Sequence, residues 1–150
     1  MRALLASAAV GASLCAGCLE PDRPHLAFRD TVRPTLLETD PAEGGLLELE
    51  GALLLTFSEK MDDRSLVPGI WLLQGSERVP LQIEIPPEDD IPNAVEQTDS
   101  PWTVRARWLT ALEPGTDYTV VLDSVLTDTE GNQLEGPDGG AAQRLTYRTP

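Results

Sequence analysis

The sequence predicts an all-β fold, a two-layer antiparallel sandwich, and three observations carry that prediction. Short runs from residue 34 onward alternate apolar and polar side chains with a period of two, the spacing of a half-buried strand. Turn residues separate these runs: Asp40-Pro41, Pro68-Gly69, Pro114-Gly115 and Glu130-Gly131-Asn132. No stretch places apolar residues at helical spacing over several turns, although Asp62 to Leu66 suits a single helical turn.

The elements follow in order. Leu36-Leu37, ahead of Asp40-Pro41, is a short first strand. Leu53, Leu55 and Phe57 alternate in a run opened by Gly51 and closed by Ser58-Glu59. Ile70-Trp71-Leu72-Leu73 is apolar on both parities, so it can bury either face. Val79, Leu81, Ile83 and Ile85 alternate with Pro80, Gln82 and Glu84. Trp102, Val104, Ala106 and Trp108 share one face, and Thr103, Arg105 and Arg107 the other. Tyr118, Val120 and Leu122 line the next face. Leu145 and Tyr147 close the set, with Arg144, Thr146 and Arg148 pointing outward. About seven strands over residues 34–150 suit an immunoglobulin-like antiparallel β-sandwich. The segment Leu112 to Tyr118 reads as a tyrosine corner. Pro114 and Gly115 turn the chain there, and Tyr118 enters the core with its hydroxyl free to bond upstream backbone.

Residues ahead of this domain read as export and attachment. Met1-Arg2 is a short positive start and Ala3 to Leu14 an uncharged apolar run, too short to span a bilayer. Leu14-Cys15-Ala16-Gly17-Cys18 resembles a bacterial lipobox, in which signal peptidase II cuts before a cysteine whose thiol carries diacylglycerol. The resemblance implies a signal peptide at 1–17 and lipid attachment at Cys18. The alternative is an ordinary cleaved signal that leaves Cys18 a free thiol. Leu19, rather than Asp, after the cysteine implies the outer membrane. Residues 18–33 hold Pro21 and Pro24, scattered charge and no periodicity, and read as a flexible tether. Such a chain has an end-to-end distance of about 20 Å.

Composition excludes several functions. Asp and Glu number 25 against 11 Lys and Arg, a formal charge of −14. That balance opposes nucleic-acid binding, which relies on clustered Lys and Arg. Two cysteines, Cys15 and Cys18, and one histidine, His25, are too few for a Cys/His zinc finger. No cofactor is implied.

Four motifs in sequence resemble bacterial Ig-like domains of the S-layer (SbsA) type. They are Thr39-Asp40-Pro41-Ala42-Glu43-Gly44, Leu55-Thr56-Phe57-Ser58-Glu59-Lys60-Met61-Asp62, the Leu112 to Val120 corner, and Asp128-Thr129-Glu130-Gly131-Asn132. Lys60 stands where a proline is usual. The resemblance implies an extracytoplasmic module with a spacer, structural or adhesion role and no catalytic residues. Copper-binding proteins of the CopC type share the first turn and the Phe-Ser-Glu strand, but their site needs several nitrogen ligands, and His25 is the one imidazole here.

Three groups remain as site candidates. Glu88-Asp89-Asp90, in a Pro-rich loop from Pro86 to Pro101, reads as a solvated loop. Asp123, Asp128 and Glu130 around a glycine turn are a calcium candidate. Against it, Asp128 and Asn132 suit local bonds to their own turn. Trp71 is the speculative binding residue, a flat face for a sugar ring, whereas Trp102 and Trp108 belong to a core face. The expected partners are the membrane, through the N-terminal lipid, and envelope proteins or glycans. An exposed aromatic patch at Trp71 favours binding, and a uniformly charged surface favours a spacer.

Overall fold

The computed structural model describes residues 30–85 and 100–150. Cys15, Cys18, His25 and the acidic run at 88–90 therefore lie outside the described residues. Two four-stranded sheets stack on one core. The first contains β1 (Leu36–Asp40), β2 (Ala52–Phe57), β5 (Leu81–Glu84) and β6 (Trp102–Trp108), in the order β1-β2-β6-β5. The second contains β3 (Ile70–Gln74), β4 (Glu77–Val79), β7 (Asp117–Leu122) and β8 (Gln143–Arg148), in the order β4-β3-β7-β8. Every strand pairing is antiparallel.

The alternating residues land as their period demands. Leu53, Leu55 and Phe57 from β2 meet Trp102, Val104, Ala106 and Trp108 from β6 inside the sandwich. Ile70 and Leu72, Tyr118, Val120 and Leu122, and Leu145 and Tyr147 close it from the other sheet. Each such side chain contributes about 1.5–3 kcal/mol on leaving water.

The number of strands differs from the sequence reading at one place. The run Val79 to Ile85 is two strands, because the chain crosses from the second sheet to the first at Pro80. Pro80 has no N–H for a ladder, so a sheet change there loses nothing, and its carbonyl still accepts from Leu109 N–H at 3.0 Å. The period-two alternation survives because both strands turn the same parity inward.

The turn expected at Asp62 to Leu66 is a helix, α1 (Asp63–Gly69). Asp62 caps it by accepting the Arg64 N–H at 3.0 Å. Gly69 ends it where a Cβ would stand 2.5 Å from Leu126 Cγ, so only glycine lets the helix approach that buried leucine.

The sandwich has two poles. Residues 30–35, the 58–62 turn, α1 and the 123–142 loop gather at the N-terminal pole, where β1 begins and β7 ends. Residues 41–51, 109–116 and 149–150 gather at the corner pole. Residues 30–33, read from sequence as the end of the tether, are already bonded to the sandwich. The Arg33 guanidinium donates to four main-chain carbonyls, those of Gln133, Leu134, Gly139 and Gly140, at 2.9–3.1 Å.

Candidate functional site

Trp71 lies on the outer face of the second sheet. Its parity within β3 points it away from Ile70 and Leu72, which face the core. The side chain is half-buried. Its indole N–H donates to the Pro68 carbonyl at 2.7 Å, and the Arg78 guanidinium sits 3.5 Å from the ring centroid. A cation in that position is attracted by the negative ring face. One face of Trp71 is thus already covered. The other aromatic side chains among the described residues, Phe57, Trp102, Trp108, Tyr118 and Tyr147, are all buried.

Strand register fixes what surrounds Trp71. Val121 stands opposite it on β7, and Arg144 stands opposite Val121 on β8. The next row runs Arg78, Leu73, Thr119, Thr146. Arg148 and Asp117 form the last row, 3.8 Å apart. Three arginines therefore share this face with one aspartate, on a chain of formal charge −14. Neither Arg78 nor Arg144 makes a hydrogen bond or ion pair with another described residue. The outer face of the first sheet behaves differently. Arg105 and Arg107 straddle Glu84 at 3.7 and 3.2 Å, and Arg107 also donates to Gln82 at 2.7 Å.

The carboxylates meet in another combination than the sequence suggested. Glu59, Asp128 and Glu130 bring carboxylate oxygens within 4.8 Å of one another, and Asp123 is not among them. Asp123 accepts from Val125 N–H and the Ser124 hydroxyl instead. Asp128 is buried and accepts the N–H groups of Glu130 and Asn132, at 2.9 and 2.8 Å, and the Asn132 side-chain amide at 2.7 Å. Its lone pairs are directed into its own turn, leaving little for a cation. Glu59 was read from sequence only as part of a strand-ending motif. Its burial, with 4% of its surface exposed, is what that reading missed.

At the corner pole, Tyr118 is buried and its hydroxyl accepts the Glu113 N–H at 2.9 Å. Pro114 and Gly115 make the turn between them, with Gly115 at φ 64°, a conformation glycine adopts without strain. Thr149, which carried no signal in the sequence, ties the same turn. It accepts Thr116 N–H at 2.9 Å and donates to the Glu113 carbonyl at 2.6 Å.

Open grooves lie on the first sheet and its rim. One of about 450 Å³ is lined by Asp40, Leu46, Glu48, Leu54 and Arg105. Another of about 370 Å³ is lined by Glu50, Arg107, Trp108 and Leu109. An apolar gap of about 10 Å³ between the sheets, beside Leu72 and Val120, is too small for a ligand. Two hydroxyls of the turns serve structure: Ser58 accepts Thr35 N–H, and Thr116 donates to the Pro114 carbonyl.

Comparison with known proteins places the chain. Residues 30–149 match the bacterial Ig-like domain family. Among solved structures, three of the S-layer protein SbsC are similar. A crystal structure of SbsC aligns with TM-score 0.49 and 15% identity, covering 78% of this chain and 14% of that one. The N-terminal part of SbsC aligns with TM-score 0.49 and 16% identity, covering 79% and 24%. SbsC domains 1–6 align with TM-score 0.49 and 18% identity, covering 79% and 14%. This chain thus spans at most about a quarter of those chains' length. No curated protein matches the sequence. With a family match that runs from the first described residue to the end of the last strand, the chain belongs to the bacterial Ig-like domain family.

Proposed function

We propose that this chain is an exported, non-enzymatic envelope lipoprotein. Cys18 carries the lipid, and one Ig-like domain is presented as a structural or spacer module, with the outer membrane as its location. The observation that carries the reading is the placement of the two poles. The segment leading back toward Cys18 joins the sandwich at the N-terminal pole, through Arg33 and Asp30. The last strand delivers Thr149 and Pro150 to the opposite pole, where Pro150 accepts Gly115 N–H at 2.8 Å. A module crossed from end to end holds its far pole away from whatever holds its near one. More than one acyl chain gives the stable attachment such a role needs, since a single chain binds membranes only marginally.

The test is partition into detergent after expression with a lipoprotein-processing system. Wild type enters the detergent phase and incorporates labelled fatty acid. Cys18→Ser incorporates no label and keeps its apolar N-terminal run uncut. A Cys18→Ser protein that still incorporates labelled fatty acid, or a wild type that incorporates none, overturns the lipid assignment.

A further inference from the structure

We propose that the outer face of the β4-β3-β7-β8 sheet docks a carboxylated polysaccharide, held between Arg78 and Arg144. This goes beyond the spacer role and does not depend on Cys18.

Charge complementarity carries the choice of ligand. Arg78 and Arg144 are exposed guanidinium groups with no carboxylate or carbonyl partner among the described residues. An arginine fork left in this state suits carboxylates, which it binds through two parallel hydrogen bonds. Arg78 is held flat on Trp71, which fixes its plane while its N–H edge stays free. Arg144 lies two strands from Trp71, about 10 Å across the face, and on the opposite edge strand from Arg78. In the next row stand the hydroxyls of Thr119 and Thr146, paired in register and bonded to no other described side chain. Two hydroxyls beside two guanidinium groups, none of them hydrogen-bonded to a partner among the described residues, suit a ligand that carries both hydroxyls and carboxylates. Leu73, half-buried in the row of Thr119 and Thr146, gives the apolar surface against which a sugar ring rests.

The same face is poorly made for a peptide. The grooves lie on the other sheet. The edge of β8 is closed to strand addition, because Gly44 and Leu47 N–H groups donate to the carbonyls of Thr146 and Arg148 at 2.8 Å. A neutral glycan is disfavoured as well, since Arg78 occupies the Trp71 ring face it would stack on.

The test measures binding of the full chain, in non-ionic detergent, to polygalacturonate, dextran and poly-L-glutamate at low salt. Binding to polygalacturonate and none to dextran is expected. Arg78→Gln/Arg144→Gln should weaken polygalacturonate binding about tenfold, the scale set by two exposed charge pairs. Thr119→Val/Thr146→Val should weaken polygalacturonate binding and leave any poly-L-glutamate binding unchanged. Arg105→Gln/Arg107→Gln, which alters the other face, should have no effect. Circular dichroism confirms that each variant is folded. Three results overturn the proposal: no binding to polygalacturonate, an equal loss in the Arg105/Arg107 variant, or poly-L-glutamate binding as tightly with the same arginine dependence. The last would assign the face to an acidic protein.

Discussion

The two poles of the sandwich are held by different chemistry. At the N-terminal pole the ties are charged: the Arg33 guanidinium on four carbonyls, the Asp128 carboxylate on the 128–132 turn, and Asp62 on the start of α1. At the corner pole the part-buried ties are neutral: the Tyr118 hydroxyl on Glu113 N–H, the Thr149 hydroxyl on Glu113 and Thr116, and the Trp108 indole N–H on the Leu49 carbonyl, while its charged contacts, Arg148 on the Gly115 carbonyl and Gln74 on the Glu113 carboxylate, are exposed. Hydrogen bonds to charged groups are stronger than neutral ones, but they depend on protonation and salt. The N-terminal pole is thus held by the stronger ties. A module pulled or tethered at that end gains from the stronger ties.

The largest expected effect comes from breaking a charged tie. Asp128→Ala strands two turn N–H groups and removes a buried acceptor. It should cost about 3 kcal/mol in denaturant unfolding. Hydrogen exchange should rise over residues 126–134 and stay unchanged over 112–118, and uniform loss at both poles would break the comparison. Tyr118→Phe removes one neutral bond while the ring stays in the core. It should cost about 1 kcal/mol, with exchange rising at Glu113 alone. An unchanged stability would mean that the corner is held by Thr149 and the turn itself.

The smallest effects are those of pH. The Asp62 carboxylate is held below the usual aspartate range, first by the Arg64 guanidinium and then by the Arg64 N–H. Its contribution is full above about pH 4 and fades as pH falls through the lowered value. Tyr147 is pushed above the usual tyrosine range by burial, offset by its bond to the Thr39 hydroxyl and reinforced by the nearby Glu43 charge. Its contribution is full below about pH 10 and fades as pH rises further. Acid should therefore loosen the start of α1, and alkali the β1–β8 contact of the two sheets, as read by exchange at Arg64 and at Tyr147.

Much of the fold was legible because it is local or periodic. The inward faces of β2, β6, β7 and β8 follow from alternation alone, and the Asp128 to Asn132 turn from side chains that reach only their own backbone. The sheet change at Pro80 was not, since alternation does not say which sheet a strand joins. Trp71 stayed ambiguous because its neighbours are apolar on both parities, and only register with β4 brings Arg78 onto it. The Arg33 ties were hidden for another reason: their partners are carbonyls about a hundred residues away, which leave no mark on side-chain composition. Likewise Arg105 and Arg107 looked like Arg144 and Arg148 in sequence, and only the pairing with β5 gives the first two Glu84.

The central claim, a module anchored at one pole and displayed by the other, is tested most directly by its orientation on a membrane. Single cysteines at Asp138 and Ala111, each in the lipidated chain, place a fluorophore at the N-terminal and corner poles. The strands between them alone separate the labels by about 20 Å. In vesicles containing nitroxide-headgroup lipid, the label at 138 should be quenched more strongly than the label at 111. Equal quenching, or stronger quenching at 111, would contradict the account.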